Sequence, residues 1–193
     1  MKKIFFLFVL LYSMSFGQGW NATVQTTINE PNIEKMDLFT NVTGNHILIK
    51  RYNGGIVYYR LNSSGVLQTS LNPTPFTTSG DFSTITGSSD VVYALYKEGN
   101  FIKGKYSTNG GNAWTNLPNN QPTTANFCNG ADAVFQDGLS GGVHLVWATR
   151  DNYPNFETYY ARLNPTNNQW IESQNVTDQS SAPYGGNPSI AVS

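Results

Sequence analysis

Charge and cysteine are both scarce in this sequence. Charged residues make up 12% of its 193 residues, whereas roughly 25% is usual for a soluble domain. The 11 Lys and Arg nearly balance the 12 Asp and Glu, and the formal net charge of −1 excludes the basic surface that nucleic acid or an anionic membrane requires. Cys128 is the single cysteine, so an internal disulfide is excluded. No His or cation stands beside it to activate the thiol, which predicts a buried or loop-lining side chain.

Sequence patterns that hold cofactors or metals are absent as well. There is no Gly-rich phosphate loop, no Ser nucleophile elbow, no His-Glu-x-x-His and no EF-hand run. His46 and His144 stand at similar places near the start of two predicted strands. A repeated histidine without a Cys or His cluster is more often a packing residue than a metal ligand. We therefore predict neither a cofactor nor a metal site.

A long hydrophobic run occurs only at the N-terminus. Two lysines precede an apolar segment at residues 4–11, which is well short of the roughly 20 residues that span a membrane. Ser15 and Gly17 place small residues at the −3 and −1 positions of a cleavage site before Gln18. Residues 1–17 are therefore predicted to be a signal peptide. We expect the mature protein to be secreted, periplasmic or on the cell surface, with no membrane anchor, and the leader and composition are typical of bacteria.

Aromatic, amide and hydroxyl side chains are abundant. The chain has 26 aromatic residues (11 Tyr, 11 Phe and 4 Trp), and Asn, Ser and Thr together number 58. This aromatic content excludes a disordered chain, and the chain lacks the Ala, Glu, Lys and Leu periodicity of a coiled coil. Aromatic residues are enriched in strands, so the composition favours a β-sheet protein.

Three segments repeat one plan of four short strands. The apolar runs are separated by clusters of Gly, Asn, Ser and Pro, which mark turns. The second run of each unit is almost continuously apolar, as in a strand that is covered on both faces. The predicted strands, named A to D in each unit, are residues 35–41, 46–52, 55–62 and 66–71; 81–86, 91–97, 101–107 and 113–117; and 131–136, 143–149, 158–164 and 169–176.

The spacing of these units favours a β-propeller. Four-stranded units that recur at such intervals are typical of propeller blades. An immunoglobulin-like sandwich would also have many short strands, but it would not repeat Tyr-Tyr-x-Leu-Asn and Tyr-Tyr-Ala-Arg-Leu-Asn at matching positions. We expect an all-β fold of four-stranded antiparallel blades in a partial propeller domain over residues 18–193. The predicted blades are residues 35–72, 81–119 and 131–177.

Both ends of the predicted domain carry one strand without the rest of its unit. These orphan strands are residues 20–28 and 187–193. Three full units and two orphan strands make about 14 strands, whereas a four-bladed ring of four-stranded blades needs about 16. We therefore interpret the chain as the N-terminal fragment of a longer propeller. Its exposed strand edges at Val24 and Ala191 are expected to promote association.

One turn of the second unit carries a specific motif, Ser107-Thr-Asn-Gly-Gly-Asn-Ala-Trp114. It resembles the Asp-box, Ser-x-Asp-x-Gly-x-x-Trp, of bacterial neuraminidase repeats, with Asn109 in place of the Asp. Ser107, Gly111 and Trp114 match. We expect the Ser and Asn side chains to bind backbone amides, Gly111 to allow positive φ, and Trp114 to pack between blades. Residues 164–170 resemble a shorter copy, and residues 62–65 a remnant without the Trp.

The resemblance implies a sialidase-like propeller, in which the Asp-box is structural and peripheral. Sialidases bind the substrate carboxylate with three arginines and use a Tyr nucleophile with a Glu, and an Asp as acid-base. The Arg-Ile-Pro-like motif that usually carries the first arginine is missing here. Arg60 and Arg162 share one repeat position with Lys105, which favours a structural role on the blade for these cations.

The longest connection between predicted strands B and C is the candidate ligand site. It runs from residue 149 to 157 and brings a cation, carboxylates and an aromatic ring close together in the sequence. Insertions in a repeat often line the binding face. An aromatic side chain can stack on a sugar while a guanidinium binds a carboxylate or a pair of hydroxyls. The candidate ligand-binding residues are Arg150, Asp151, Tyr153 and Glu157.

Two function classes remain open at this point. The first is a secreted, non-catalytic propeller that binds a glycan or an extracellular protein, for which loops and aromatic residues suffice. The second is the N-terminal portion of a sialidase-like exo-glycosidase, which also needs an arginine triad and a Tyr–Glu pair. No recognisable member of that catalytic set stands in this sequence, so we favour the binding module.

Overall fold

The computed structural model describes residues 28, 30, 32–70, 73–119, 121–124, 127–138, 141–150, 157–177 and 188–192. These residues form eleven strands in three sheets and no helix. Every strand pairing among them is antiparallel. A helix that is long and apolar enough to cross a membrane is therefore not found in the described part of the chain.

The first sheet has three strands in chain order. They are β1 Ile33–Asn41, β2 Gly44–Arg51 and β3 Ile56–Leu61. The fourth strand predicted at residues 66–71 is wrong, because only a single bridge between Leu61 and Leu67 forms there. The amide of Arg60 in β3 donates its hydrogen bond to the Thr69 hydroxyl, at 3.3 Å, instead of to a backbone carbonyl. A side-chain acceptor at this point ends the ladder.

The second and third sheets each have four strands in chain order. The second contains β4 Gly80–Gly87, β5 Val92–Glu98, β6 Phe101–Ser107 and β7 Thr115–Asn116. The third contains β8 Phe127–Gln136, β9 Gly142–Arg150, β10 Glu157–Asn164 and β11 Gln169–Asn175. Each second strand is almost wholly buried, because sheets or segments of chain cover both of its faces.

The three sheets follow one another around a common axis. The first strands lie innermost, and β4 contacts both β1 and β8. One hydrophobic cluster joins the first and second sheets, with Leu48 and Tyr58 against Ile85. A second cluster joins the second and third sheets, with Tyr93 and Trp147 buried in it. Consecutive antiparallel sheets that pack face to face around one axis form an incomplete propeller-like fold, so the predicted fold class is confirmed.

Two aspartates at one repeat position connect the first and third sheets to the innermost segment of chain that follows each of them. Asp37 pairs with Leu48 in the first sheet, and Asp132 pairs with Val146 in the third. Asp37 Oδ2 accepts hydrogen bonds from Thr84 Oγ1 and Ile85 N of β4, both at 2.8 Å. These bonds satisfy two polar groups of the second sheet that would otherwise be buried without partners.

The same pair of hydrogen bonds, from a hydroxyl and from the following amide to one aspartate oxygen, recurs at the C-terminal end of the described chain. We call this arrangement the aspartate clasp. Asp132 Oδ2 accepts hydrogen bonds from Ser189 Oγ at 2.8 Å and from Ile190 N at 3.0 Å. Residues 188–192 thus lie beside the third sheet as β4 lies beside the first, although they are not paired into a strand. Residues 1–27, which contain the predicted leader and most of the first orphan strand, are outside the described residues.

Candidate functional site

Most of the predicted ligand-binding loop lies outside the described residues. This holds for Asp151 and Tyr153, and Arg150 is described only through its backbone, which pairs with Phe127. Glu157 is described in full at the start of β10. Its Oε2 accepts hydrogen bonds from Tyr159 Oη and Asn175 Nδ2, both at 3.0 Å. Whether the four predicted residues form one site therefore stays a prediction.

The turn at residues 107–114 is organised by two side-chain oxygens. Ser107 Oγ accepts a hydrogen bond from Gly111 N at 2.8 Å and donates one to Asn109 Oδ1 at 2.9 Å. Asn109 Oδ1 also accepts the amide of Ala113 at 2.9 Å. Gly110 and Gly111 both have positive φ, at 62° and 82°, which glycine adopts without a steric penalty. The turn therefore has a single defined shape.

This turn of the second sheet docks on the first sheet. Trp114 packs edge-on against Tyr58, with ring centroids 4.8 Å apart. Arg60 donates hydrogen bonds to the carbonyl of Gly110 and to Asn112 Oδ1, the latter at 2.9 Å. A side chain at Gly111 would overlap the Tyr58 hydroxyl. Arg60 thus has the structural role that its repeat position predicts, because its guanidinium binds the neighbouring sheet.

The corresponding turns of the other sheets use the same chemistry. In the first sheet, Asn62 Oδ1 accepts the amides of Ser64 and Val66 at 3.0 and 2.9 Å. In the third sheet, Asn164 Oδ1 accepts the amide of Thr166 at 2.9 Å. Asn168 of that turn accepts a hydrogen bond from Tyr93 Oη of the second sheet at 3.1 Å. An amide side chain in each turn therefore replaces backbone partners, and the turns of the second and third sheets contact the neighbouring sheet.

A buried histidine of β2 contacts both the end of β1 and a tyrosine of β3. His46 is fully buried, with Nδ1 2.7 Å from Tyr58 Oη and Nε2 2.9 Å from Asn41 Oδ1. Burial, and then the charge of Arg60, lowers the pKa of His46 from 6.5 to about 4. His144 repeats the contact in the third sheet, 2.8 Å from Tyr160 Oη. No group of three or more His, Cys, Asp or Glu is arranged to hold a metal within the described ranges.

Several cations of the first and second sheets are held in ion pairs. Arg51 binds Glu30 with Nε and Nη2 at 3.0 and 2.7 Å, and Tyr59 Oη donates to the same carboxylate at 3.0 Å. The Arg51 guanidinium holds the pKa of Glu30 below its usual value. Lys50 pairs with Glu34, Lys97 with Asp81 and Lys103 with Glu98.

An open cleft lies along the axis, between the first strands of the three sheets. Its volume is about 450 Å³, which is in the range of roughly 300–1,000 Å³ for small-molecule sites. We call it the axial cleft; its polar lining residues are Lys35, Asp37, Ser83, Asp132 and Ser189. Lys35 of β1 pairs with Lys50, which is close to the C-terminal end of β2. The cleft therefore lies toward the end of the sheets at which the second strand connects to the third.

One hydroxyl in the axial cleft lacks a hydrogen-bond partner. Ser83 of β4 pairs with Tyr96 of β5. It therefore holds the repeat position that Asp37 and Asp132 hold in the other two sheets. Its side chain is buried, and its Oγ makes no hydrogen bond. A buried polar group without a partner costs about 1–3 kcal/mol, and such groups often mark a place where a ligand binds or a strain is stored.

Sequence reasoning missed the axial cleft. Its residues come from three segments that are far apart in the chain, and each of them looks like part of an ordinary strand. The available signal was the repeat itself. The first strands of the three sheets can be aligned by the residues that they pair with on the second strands. Asp37, Ser83 and Asp132 then fall at one position. Three polar residues at an inward position of the innermost strands indicate a polar axis.

Cys128 is buried, as predicted. Its Sγ lies 3.1 Å from Thr124 Oγ1, and the same hydroxyl accepts a hydrogen bond from Trp147 Nε1 at 3.0 Å. Burial raises the pKa of the Cys128 thiol. The side chain therefore packs as a buried thiol between the second and third sheets.

Comparisons with known proteins give structural similarities only. No family model and no curated sequence matches the chain. A mutant of the NanB sialidase from Streptococcus pneumoniae is similar, with a TM-score of 0.46 and 12% identity over 69% of this chain and 22% of that chain. NanB bound to a chlorobenzylammonio ethanesulfonate gives the same values. NanB with optactamide gives 0.42 and 13% over the same shares. The match thus spans less than a quarter of the length of these sialidase chains.

Proposed function

We propose that this protein is a secreted, non-catalytic propeller module that binds a glycan in the axial cleft. The observation that carries the proposal is the cleft itself. It is open, large enough for a sugar ring, and lined by polar residues from all three sheets. The unpartnered hydroxyl of Ser83, one of these residues, is buried. Pockets in which a few convergent polar groups stand among apolar ones are the usual form of a small-ligand site.

The lining of the cleft suits the two kinds of surface that a sugar has. Carboxylate and hydroxyl oxygens can bind the sugar hydroxyls, which donate and accept hydrogen bonds. Apolar atoms lie beside them, from Met36, Ala131 and Pro188. Met36 is largely exposed, so it can cover the apolar face of a ring. The predicted ligand-binding residues Arg150, Asp151, Tyr153 and Glu157 stay a separate candidate site.

The charged side chains of the first sheet favour binding over catalysis. A sialidase-like reaction needs arginines that reach a substrate carboxylate. Arg51 is bound to Glu30 and Arg60 to the turn of the second sheet, so both guanidinium groups have structural partners. The Tyr59–Glu30 contact resembles a nucleophile pair in its residue types, but Arg51 holds the same carboxylate in an ion pair, which gives the contact a structural role.

A glycan array with the purified protein tests the proposal. We expect binding to at least one class of sugar, weakened in Ser83→Ala and unchanged in Ser70→Ala, a serine outside the cleft. The loop variants Arg150→Ala and Tyr153→Ala show whether the loop contributes. Binding that survives all three substitutions at full strength, or the lack of any glycan binding alongside capture of a defined extracellular protein, would contradict the proposal.

The alternative is the N-terminal portion of a sialidase-like exo-glycosidase, which the motif at residues 107–114 supports through its resemblance to the Asp-box. An assay with a fluorogenic sialoside separates the two. We expect no release of the fluorophore above the uncatalysed rate. Release that depends on protein concentration and is lost in Arg150→Ala would favour the enzyme.

A further inference from the structure

We infer that the axial cleft selects sugars by their hydrogen-bond donors, so that it binds neutral and amino sugars and rejects acidic ones. This inference rests on the proposed glycan binding and adds the chemical class of the ligand. It follows from the charges and the unused acceptor atoms that line the cleft.

Asp132 supplies an acceptor on the side of residues 188–192. Both of its hydrogen bonds, from Ser189 and Ile190, end on Oδ2. Oδ1 accepts none from the described residues. A carboxylate oxygen has room for further donors, and a sugar hydroxyl or an ammonium group can provide them. An acidic sugar has only an acceptor to offer at its carboxylate.

Asp37 adds a second negative charge on the opposite wall of the cleft, although both of its oxygens already accept hydrogen bonds from the protein. Its Oδ2 is bound to the second sheet, and its Oδ1 accepts the amide of Leu38 at 2.9 Å. Among the described residues, the charged ones that line the cleft are Lys35, Asp37 and Asp132, and one positive and two negative charges give −1. A ligand carboxylate would therefore enter a field of its own sign, whereas an amine would be attracted.

Ser83 completes the set from the middle sheet. Its hydroxyl can donate one hydrogen bond and accept others, and it does neither in the protein alone. Because Oγ is buried, a ligand hydroxyl reaches it only when the neighbouring lining of the cleft moves aside, and it then satisfies this group whatever the charge of the ligand. Ser83 should therefore contribute to the affinity for every sugar, while the two aspartates set the choice between sugars.

Three sugars with one framework test the inference: glucose, glucosamine and glucuronic acid, titrated by NMR at low and high salt. We expect glucose and glucosamine to bind and glucuronate to bind at least tenfold more weakly than glucose. The preference for glucosamine over glucuronate should shrink at high salt, because salt screens charges in an open cleft.

Two variants separate the roles of the side chains. Asp132→Asn keeps an oxygen for Ser189 and Ile190 and removes the charge, so it should strengthen glucuronate binding and weaken glucosamine binding several-fold. Asp37→Asn is a second charge variant in case the first unfolds. Ser83→Ala should weaken binding of the neutral and amino sugars by similar factors, with their ratio unchanged.

The outcomes distinguish this inference from the proposed function. If no sugar binds, at any concentration up to saturation of the sample, glycan binding in the cleft fails and the inference fails with it. If glucuronate binds as tightly as glucose, or if both charge variants keep the wild-type selectivity, glycan binding stands and the inference is overturned.

Discussion

Asp37 and Asp132 occupy one repeat position, and each fastens the next innermost segment of chain through a Thr or Ser hydroxyl and the following Ile amide. The two clasps differ in their surroundings. Thr84 and Ile85 are buried, whereas Ser189 is exposed. The same pair of hydrogen bonds should therefore contribute more to the free energy of unfolding at Asp37 than at Asp132.

Asp37→Ala should lower the free energy of unfolding by about 2–4 kcal/mol, because it leaves two buried polar groups without a partner. Asp132→Ala is the matched control and should lower it by about 1 kcal/mol or less, since water can reach Ser189. Urea denaturation followed by tryptophan fluorescence measures both. Equal losses in the two variants would mean that the clasps are not distinguished by burial.

Gly111→Ala should strongly destabilise the contact between the first and second sheets. The added Cβ would overlap Tyr58 Oη, and the residue has a φ of 82°. We expect a loss of about 3 kcal/mol or more, from backbone strain and overpacking together. Gly99→Ala is the control, since Gly99 has a φ of 58° but nothing within 4 Å of an added Cβ. It should cost only the strain, about 1 kcal/mol. Similar thermal melting shifts in both variants would count against the docked turn.

Asn109→Asp should leave the turn intact or stabilise it. A carboxylate can accept the same two hydrogen bonds, from Ser107 Oγ and Ala113 N, and charge-assisted bonds are stronger. Asn109→Ala removes both acceptors and should cost about 1–2 kcal/mol. Differential scanning calorimetry of the two variants should move the melting temperature in opposite directions or, for the Asp variant, not at all. A fall with Asp as large as with Ala contradicts this account of the turn.

Acid should destabilise the protein through His46. Its pKa is about 4 in the fold and 6.5 as a free side chain, so the unfolded chain binds more protons between these values and the free energy of unfolding falls as the pH is lowered through this window. At about 1.4 kcal/mol per pKa unit the loss reaches at most about 3.5 kcal/mol. Glu30, whose pKa is lowered by Arg51, adds a further loss at lower pH.

The control for the acid effect is His46→Gln, which cannot titrate. Its stability should be lower than that of the wild type at neutral pH and nearly flat between pH 7 and pH 5, measured by urea denaturation at each pH. NMR of the imidazole should show that His46 remains neutral at pH 5.5. A wild-type imidazole that titrates near 6.5 in the folded protein would show that the ring is not buried as described.

The strands of this protein could largely be predicted from its sequence, because alternation and turn residues are local signals. Predicted strand C of the first unit, at residues 55–62, corresponds to Ile56–Leu61. Predicted strand D of the second unit began at Ala113, but Asn109 takes the Ala113 amide into the turn and the strand is Thr115–Asn116. The outer strands are shorter than predicted because side chains accept backbone amides that would otherwise pair in the sheet. The strand propensities of the residues do not show which amides are taken in this way.

The candidate site could not be predicted in the same way. The loop at residues 150–157 stood out because its chemical groups are adjacent in the sequence. The axial cleft depends on three strands that meet only when the sheets stack, and its key feature, the unpartnered Ser83 hydroxyl, is a property of packing. Only the common repeat position of Asp37 and Asp132 linked it to the sequence.

A crystal structure of the protein soaked with glucose or glucosamine shows directly whether the axial cleft holds a sugar. We expect sugar density in the axial cleft, with ring hydroxyls within hydrogen-bond distance of Asp132 Oδ1 and Ser83 Oγ, and no such density in crystals of Ser83→Ala soaked at the same concentration. Sugar bound only at the loop of Arg150 and Tyr153, with the axial cleft empty, would contradict this expectation.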